Sequence, residues 1–248
     1  MNASPAADPP GRPRSNQERL QDAIKQLILS RQLHPGDILP TESELMALLG
    51  TSRNPLREAM KALQALGFVE IRHGHGTYAG SLPLSPLQDF LSFRLRRSIG
   101  TDLREVGDLL QLREALEVGM ASDVVRTHLA HGTEELRGIV GQMEAKAAAG
   151  EYFPDEDLAF HGALYRPLGN TLILELLEVF WNTFHLIDAE LPGPHYTPAE
   201  ACAWHAGLLA ALERGDADQY RWRMREHFDG IRIRISRADH GPAEAPGP

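Results

Sequence analysis

Apolar positions recur at helical spacing along most of this chain, and strand-like runs are confined to one short stretch near residue 70. Ser15 and Glu18 make a capping-box pattern, and Leu20, Ile24, Leu27 and Ile28 follow it on one face, so a first helix is predicted to open at Ser15. His34-Pro35-Gly36-Asp37 breaks that helix. Thr41 and Glu44 repeat the capping signature and open a short helix through Leu49, ended by Gly50, which takes positive φ at little cost. Ser52 is placed to cap a third helix, with Pro55 in its first turn and Leu56, Met60, Leu63 and Leu66 as its buried stripe. Residues 68–71 and 77–79 read as two strands joined by His73-Gly74-His75-Gly76.

Beyond a Pro/Ser/Gly stretch at 80–86, every periodic segment reads as helix. The expected helices are 87–99, 103–129, 133–149, 155–168, 171–190, 198–214 and 217–237. Gly132, Gly150, Gly169-Asn170, Pro192-Gly193-Pro194 and Gly215 fall where a bundle places its loops. The fold expected is mainly α: an N-terminal winged helix-turn-helix followed by an all-α helical bundle. Its parts are a disordered segment 1–14, the winged domain 15–79, a linker 80–86, the bundle 87–237 and a disordered tail 238–248.

A helix, a tight turn, a second helix and a glycine-rich hairpin, with arginines heading the second helix, is the order that sets one helix in a DNA major groove. Arg53 and Arg57 are four apart and share a face, and arginine suits bidentate contact with guanine or phosphate. Ser52 and Asn54 add short polar groups at a helix N-terminus, which itself attracts phosphate. His73 and Gly74 head a small polar hairpin tip. Taken singly, these arginines and glycines are surface charges and turn formers. Taken as an ordered set, they imply double-stranded DNA as a partner.

The net charge of −9 changes the picture only when divided. Residues 11–80 carry nine Lys/Arg against seven Asp/Glu, whereas residues 81–248 carry sixteen against twenty-six. Phosphate neutralisation depends on local cations, so the asymmetry supports a DNA-facing domain and an acidic one. A single cysteine, Cys202, excludes an intrachain disulfide and fits a reducing cytoplasm. No apolar run is long enough for a membrane span, and the N-terminus does not read as a signal peptide.

In the second half Asp157 and His161 stand at i and i+4, while His205 and His227 fall at similar depth on either side of the Gly215 turn. Three imidazoles and a carboxylate suit Zn²⁺ or another divalent transition ion. The spacing alone favours separate surface or hydrogen-bonded histidines, because Asp-x-x-x-His is common on helix surfaces. Cys202 reads as a small buried thiol, and His128, His131, His195 and His240 read as solvated. Trp181, Trp204 and Trp222 read as core fillers, and His185 and Tyr165 as core or surface residues, with the cavity wall as a further place for each.

The run from Leu33 to Leu45 (LHPGDILPTESEL), that from Leu49 to Ala59 (LGTSRNPLREA) and that from Leu66 to Tyr78 (LGFVEIRHGHGTY) resemble the DNA-binding domain of GntR-family transcription regulators. That resemblance implies operator contacts from Ser52, Arg53 and Arg57, with a wing tip at His73 and Gly74. Ser43 departs from it, standing where many relatives carry a base-reading arginine. Asp157-Leu-Ala-Phe-His161, the run from Gly169, His205-Ala-Gly-Leu-Leu and Met224-Arg-Glu-His227 are similar to the FCD effector domain of the FadR-like branch. The resemblance implies a divalent metal on Asp157, His161, His205 and His227, zinc foremost with nickel or manganese as alternatives, and a small organic acid completing its coordination. It also places Arg113 opposite the acid's carboxylate, where an i+4 surface ion pair with Glu117 is the competing reading.

The function expected is thus a cytoplasmic, homodimeric regulator, a repressor, whose operator binding is controlled by a small carboxylate metabolite at the metal site. A metal sensor with no organic effector is the first alternative. A metal-dependent hydrolase is the second, disfavoured because no His-Glu-x-x-His motif or general base accompanies the quartet.

Overall fold

The computed structural model describes residues 15–99, 101–188, 190–191 and 196–239. The expected disordered segment 1–14, the Pro192-Gly193-Pro194 loop, His195, His240 and the tail beyond residue 239 lie outside the described residues. The chain divides into two compact units, the first ending at Pro86 and the second beginning at Leu87.

In the first unit, α1 (Asn16–Ser30), α2 (Glu42–Leu49) and α3 (Arg53–Ala65) precede an antiparallel pair, β1 (Val69–Arg72) and β2 (Gly76–Ala79). Both expected capping boxes form: the Ser15 and Thr41 hydroxyls accept from the backbone N–H of Glu18 and Glu44, whose carboxylates accept from the cap backbones in return. Gly50 closes α2 with φ of 58°. Ser52 holds the N-cap position of α3, but its hydroxyl makes no cap hydrogen bond, contrary to expectation. Leu20, Ile24, Leu45, Leu56, Met60, Leu63 and Val69 build one core, each worth about 1.5–3 kcal/mol against exposure.

Leu66, expected in the buried stripe, is exposed, because α3 ends at Ala65 and the chain turns at Gly67 with φ of 74°. The hairpin closes tightly: a Cβ on Gly80 would lie 1.9 Å from the Gly67 carbonyl oxygen, so only glycine fits. The segment before α2 adds a bridge that the pattern did not announce, Ile38 opposite Tyr78.

Every regular element of the second unit's described residues is a helix: α4 (Ser85–Ile99), whose first two residues belong to the first unit, α5 (Arg104–Gly119), α6 (Ala121–His131), α7 (Glu134–Ala148), α8 (Pro154–Tyr165), α9 (Thr171–Asp188), α10 (Pro198–Arg214) and α11 (Ala217–Asp239). A 3₁₀ turn, Arg166–Leu168, extends α8. The single helix expected over 103–129 is two helices, broken at Met120 with φ −86° and ψ 0°. Gly119, a weak helix former, stands at the break, and the apolar period runs on across it. Helix α11 packs on α5 and α10, and α7 packs on α8 and α10; the three helices that carry the histidines, α8, α10 and α11, belong to this set.

Two further expectations are corrected here. His128 is buried, not solvated, with Nδ1 3.2 Å from the Gly132 carbonyl and Nε2 3.0 Å from that of Leu164. Trp222 is 53% exposed rather than core, whereas Trp181 is buried. Cys202 is buried, as expected of a structural thiol.

Candidate functional site

The four residues singled out for metal binding come together. Asp157 and His161 lie one turn apart on α8, His205 on α10 and His227 on α11. Gly215, at φ 69°, reverses the chain between the last two helices. It leaves His205 and His227 roughly 15 and 18 Å from the turn along their axes, at one level of the bundle. One ligand atom from each of the four lies within 4.8 Å of the others, and the three histidines are buried.

His205 has an acceptor at both ring nitrogens: Nδ1 is 2.8 Å from the Ala201 carbonyl and Nε2 is 2.7 Å from Asp157 Oδ1. A neutral ring carries one N–H and cannot donate to both, so a cation shared by Nε2 and the carboxylate suits this pair. His161 Nε2 and His227 Nε2 face each other at 3.1 Å, and Nδ1 of His227 is buried with no hydrogen-bond partner. Donors held by one tetrahedral ion at 2.0–2.2 Å lie about 3.3–3.6 Å from each other, so the quartet, spread over 4.8 Å, would draw in by about an ångström to close on one. The donor set, three imidazoles and one carboxylate, fits a divalent transition ion.

Electrostatics agree with that reading. Burial and the two neighbouring imidazoles push His227 well below its ordinary value, so it is neutral and its lone pair is available. Burial alone would raise the Asp157 carboxyl, but the His205 hydrogen bond and the surrounding imidazoles outweigh it and hold the group ionised.

Behind the quartet stands a residue the sequence offered only as an ion-pair partner. Glu117 on α5 is 0% exposed. Its Oε1 accepts from Arg113 Nε at 2.6 Å; its Oε2 lies 3.0 Å from His161 Nδ1 and accepts from the Tyr165 hydroxyl at 2.9 Å. Burial would raise its carboxyl, yet Arg113 and His161 keep it below the usual carboxylate range. The carboxylate thus fixes the His161 ring with Nδ1 protonated and Nε2 turned to the other donors. Tyr165 is core, and burial beside Glu117 drives its hydroxyl pKa up.

The two readings of Arg113 prove compatible in geometry. It makes the i+4 pair with Glu117, but at 4% exposure it is no surface pair, and its Nη2 has no hydrogen-bond partner. Arg113, Asp157, His205 and His227 line one cavity of about 350 Å³, together with Trp181, Trp204 and His185.

In the first unit the residues expected to touch DNA are displayed at two places. Ser52, Arg53, Asn54 and Arg57 are exposed around the N-terminal turn of α3. The Arg53 and Arg57 side chains, 62% and 60% exposed, share Glu42 of α2 at 3.2 and 2.9 Å. That pairing presents both guanidinium groups beside one helix end. His73 and Gly74 are exposed at the hairpin turn, with Gly74 at φ 77°. Arg72 stands beside them, stacked 4.3 Å above the Tyr78 ring and paired with Glu70, a wing residue that the pattern did not single out.

Residues 16–79 match the gntR family of bacterial regulatory proteins, and residues 108–230 match the FCD domain. LutR, an HTH-type transcriptional regulator of Bacillus subtilis, is 32% identical over 152 residues, 61% of this chain and 68% of that protein. The chain belongs to the GntR family, in its FCD-bearing, FadR-like branch. This GntR regulator is also 26% identical over 227 residues to the Uxu operon transcriptional regulator of Escherichia coli, covering 86% of this chain and 83% of that protein. A GntR protein of Streptococcus agalactiae superposes with a TM-score of 0.59 at 26% identity, covering 88% of this chain and 99% of that one. Both domains and these relatives are those of transcriptional regulators, not enzymes, which removes the hydrolase alternative. Among the described residues no helix is long and apolar enough to cross a membrane.

Proposed function

We propose that this GntR regulator is a cytoplasmic homodimeric repressor whose operator affinity falls when a small carboxylate binds a metal-anchored site in its C-terminal unit. The observation that carries the reading is the clustering of Asp157, His161, His205 and His227, three of which (Asp157, His205 and His227) line one cavity with buried Arg113, whose Nη2 has no hydrogen-bond partner. Zinc suits the donor set best, with nickel and manganese next. Bound there, the ion supplies a Lewis-acidic anchor for a carboxylate oxygen. Arg113 offers a charge-assisted hydrogen bond to the same group, while Glu117 keeps His161 in the ligating tautomer and balances the arginine's charge.

On the DNA side, Arg53, Arg57, Ser52 and Asn54 enter the major groove, and His73 and Gly74 approach the backbone or minor groove. Two copies related by a two-fold axis meet the half-sites of a pseudo-palindromic operator. The acid shifts operator affinity only through unequal binding to the DNA-competent and DNA-incompetent states. One relative in Escherichia coli is named as a putative L-lactate dehydrogenase operon regulatory protein, which supports a carboxylate metabolite as the signal class.

Metal analysis of the purified chain, with zinc titration of wild type and His205→Ala, tests the anchor. The reading requires close to one zinc per chain in the wild type and at least a hundredfold weaker binding in the variant. Equal affinities contradict it.

A further inference from the structure

The cavity beside the quartet is walled by rings. Tyr196 and Trp204 pack edge to face with centroids 5.1 Å apart, Tyr152 meets Tyr196 at 6.2 Å, and Trp204 reaches the His227 ring at 6.4 Å. Trp181, on the same lining, lies 5.4 Å from His161. The wall is built into the backbone: a Cβ on Gly230 of α11 would stand 2.6 Å from the Trp204 ring and 3.3 Å from that of Tyr196. Only a glycine there lets both rings lie against the helix.

Polar groups are few along this wall. Besides the ligating residues and Arg113, the lining offers Asp155, His185, the two tyrosines and the indole N–H groups of Trp181 and Trp204, the former buried without a partner, and the Tyr152 hydroxyl already donates to the Tyr196 carbonyl at 2.5 Å. A polyhydroxylated acid needs a partner for each hydroxyl that it buries. A three-carbon acid would leave most of the 350 Å³ to water against apolar rings. A flat ring carrying one carboxylate meets both conditions, because ring–ring contacts add to the burial of its area.

We propose that the effector is an aryl carboxylate, its carboxylate at Arg113 and the Asp157 quartet and its ring against Tyr152, Tyr196 and Trp204. This rests on the carboxylate-effector reading above and narrows it to a chemical class. Isothermal calorimetry on the zinc-loaded full chain tests it with four probes: 3-phenylpropionate, 4-hydroxybenzoate, L-lactate and D-gluconate. At least one aryl acid binds tenfold or more tightly than lactate and gluconate. Trp204→Ala, and Gly230→Ala by displacing the ring, reduce that ratio below threefold. Lactate or gluconate binding as tightly as both aryl acids overturns the proposal while leaving the carboxylate reading in place, and so does a ratio that either folded variant leaves unchanged. Failure of all four acids to bind overturns both. The wild-type ranking decides the matter alone where a variant does not fold.

Discussion

Glu117 and His161 meet at 3.0 Å, carboxylate oxygen to Nδ1, in a place where neither side chain reaches solvent. One helix thereby fixes the ring of another, and the orientation of a candidate ligand is set from outside the ligand set. Glu117→Gln keeps the shape and removes the charge. Zinc affinity is expected to fall about 10–100-fold, as for other changes behind a metal ligand. Stability should fall as well, by up to about 3–5 kcal/mol, since Arg113 loses its buried counter-charge. Chelator-competition titration and calorimetric melting read the two effects separately; unchanged zinc affinity in a folded variant would remove Glu117 from the site.

Metal removal should act on one unit. An ion bound only by the folded state contributes about 4 kcal/mol at a thousandfold excess over its Kd. Stripping it with a chelator is expected to lower the melting transition of the C-terminal unit by several degrees and to leave that of the winged unit in place. A uniform shift of both, or none, would count against ligation by the quartet.

Arg57→Ala is expected to weaken operator binding by about 1–3 kcal/mol, roughly five- to 150-fold. The fold should barely notice, because its partner Glu42 is shared with Arg53 and an exposed pair is worth at most about 1 kcal/mol. Fluorescence anisotropy with labelled operator checks the first part and thermal melting the second.

The wing is open to a conformational test. Gly74 sits at φ 77° with open space where a Cβ would go, so Gly74→Val meets backbone strain of about 1–2 kcal/mol without a clash. We expect a distorted hairpin tip, with operator affinity reduced several-fold and zinc binding intact. Full operator affinity would mean that the tip does not approach DNA.

What the sequence made legible was local. Ser15 with Glu18, Thr41 with Glu44 and Gly50 each announce a helix end through neighbours within four residues, and each forms as read. The quartet was legible as Asp157 and His161 one turn apart and two histidines at matching depths around Gly215, though the spacing alone favoured separate histidines and only the family resemblance tipped it towards a metal site. The rest depended on partners distant in sequence. Glu117 lies 44 residues from His161, and His128 reaches Leu164 across 36. No periodicity records such pairs. Trp222 and Leu66 were misjudged because an apolar residue at helical spacing was assumed to face inward, when the ends and azimuths of α3 and α11 decide it. The Met120 break was hidden because the apolar period runs on across Gly119.

The central claim is that a carboxylate held in the C-terminal unit weakens the grip of the N-terminal unit on DNA. Anisotropy of labelled operator, titrated with the zinc-loaded chain at increasing 3-phenylpropionate or L-lactate, measures this directly. At least one acid should weaken operator binding tenfold or more in the wild type and have no effect on His227→Ala. Operator affinity indifferent to both acids, or lowered equally in the variant, would contradict the account.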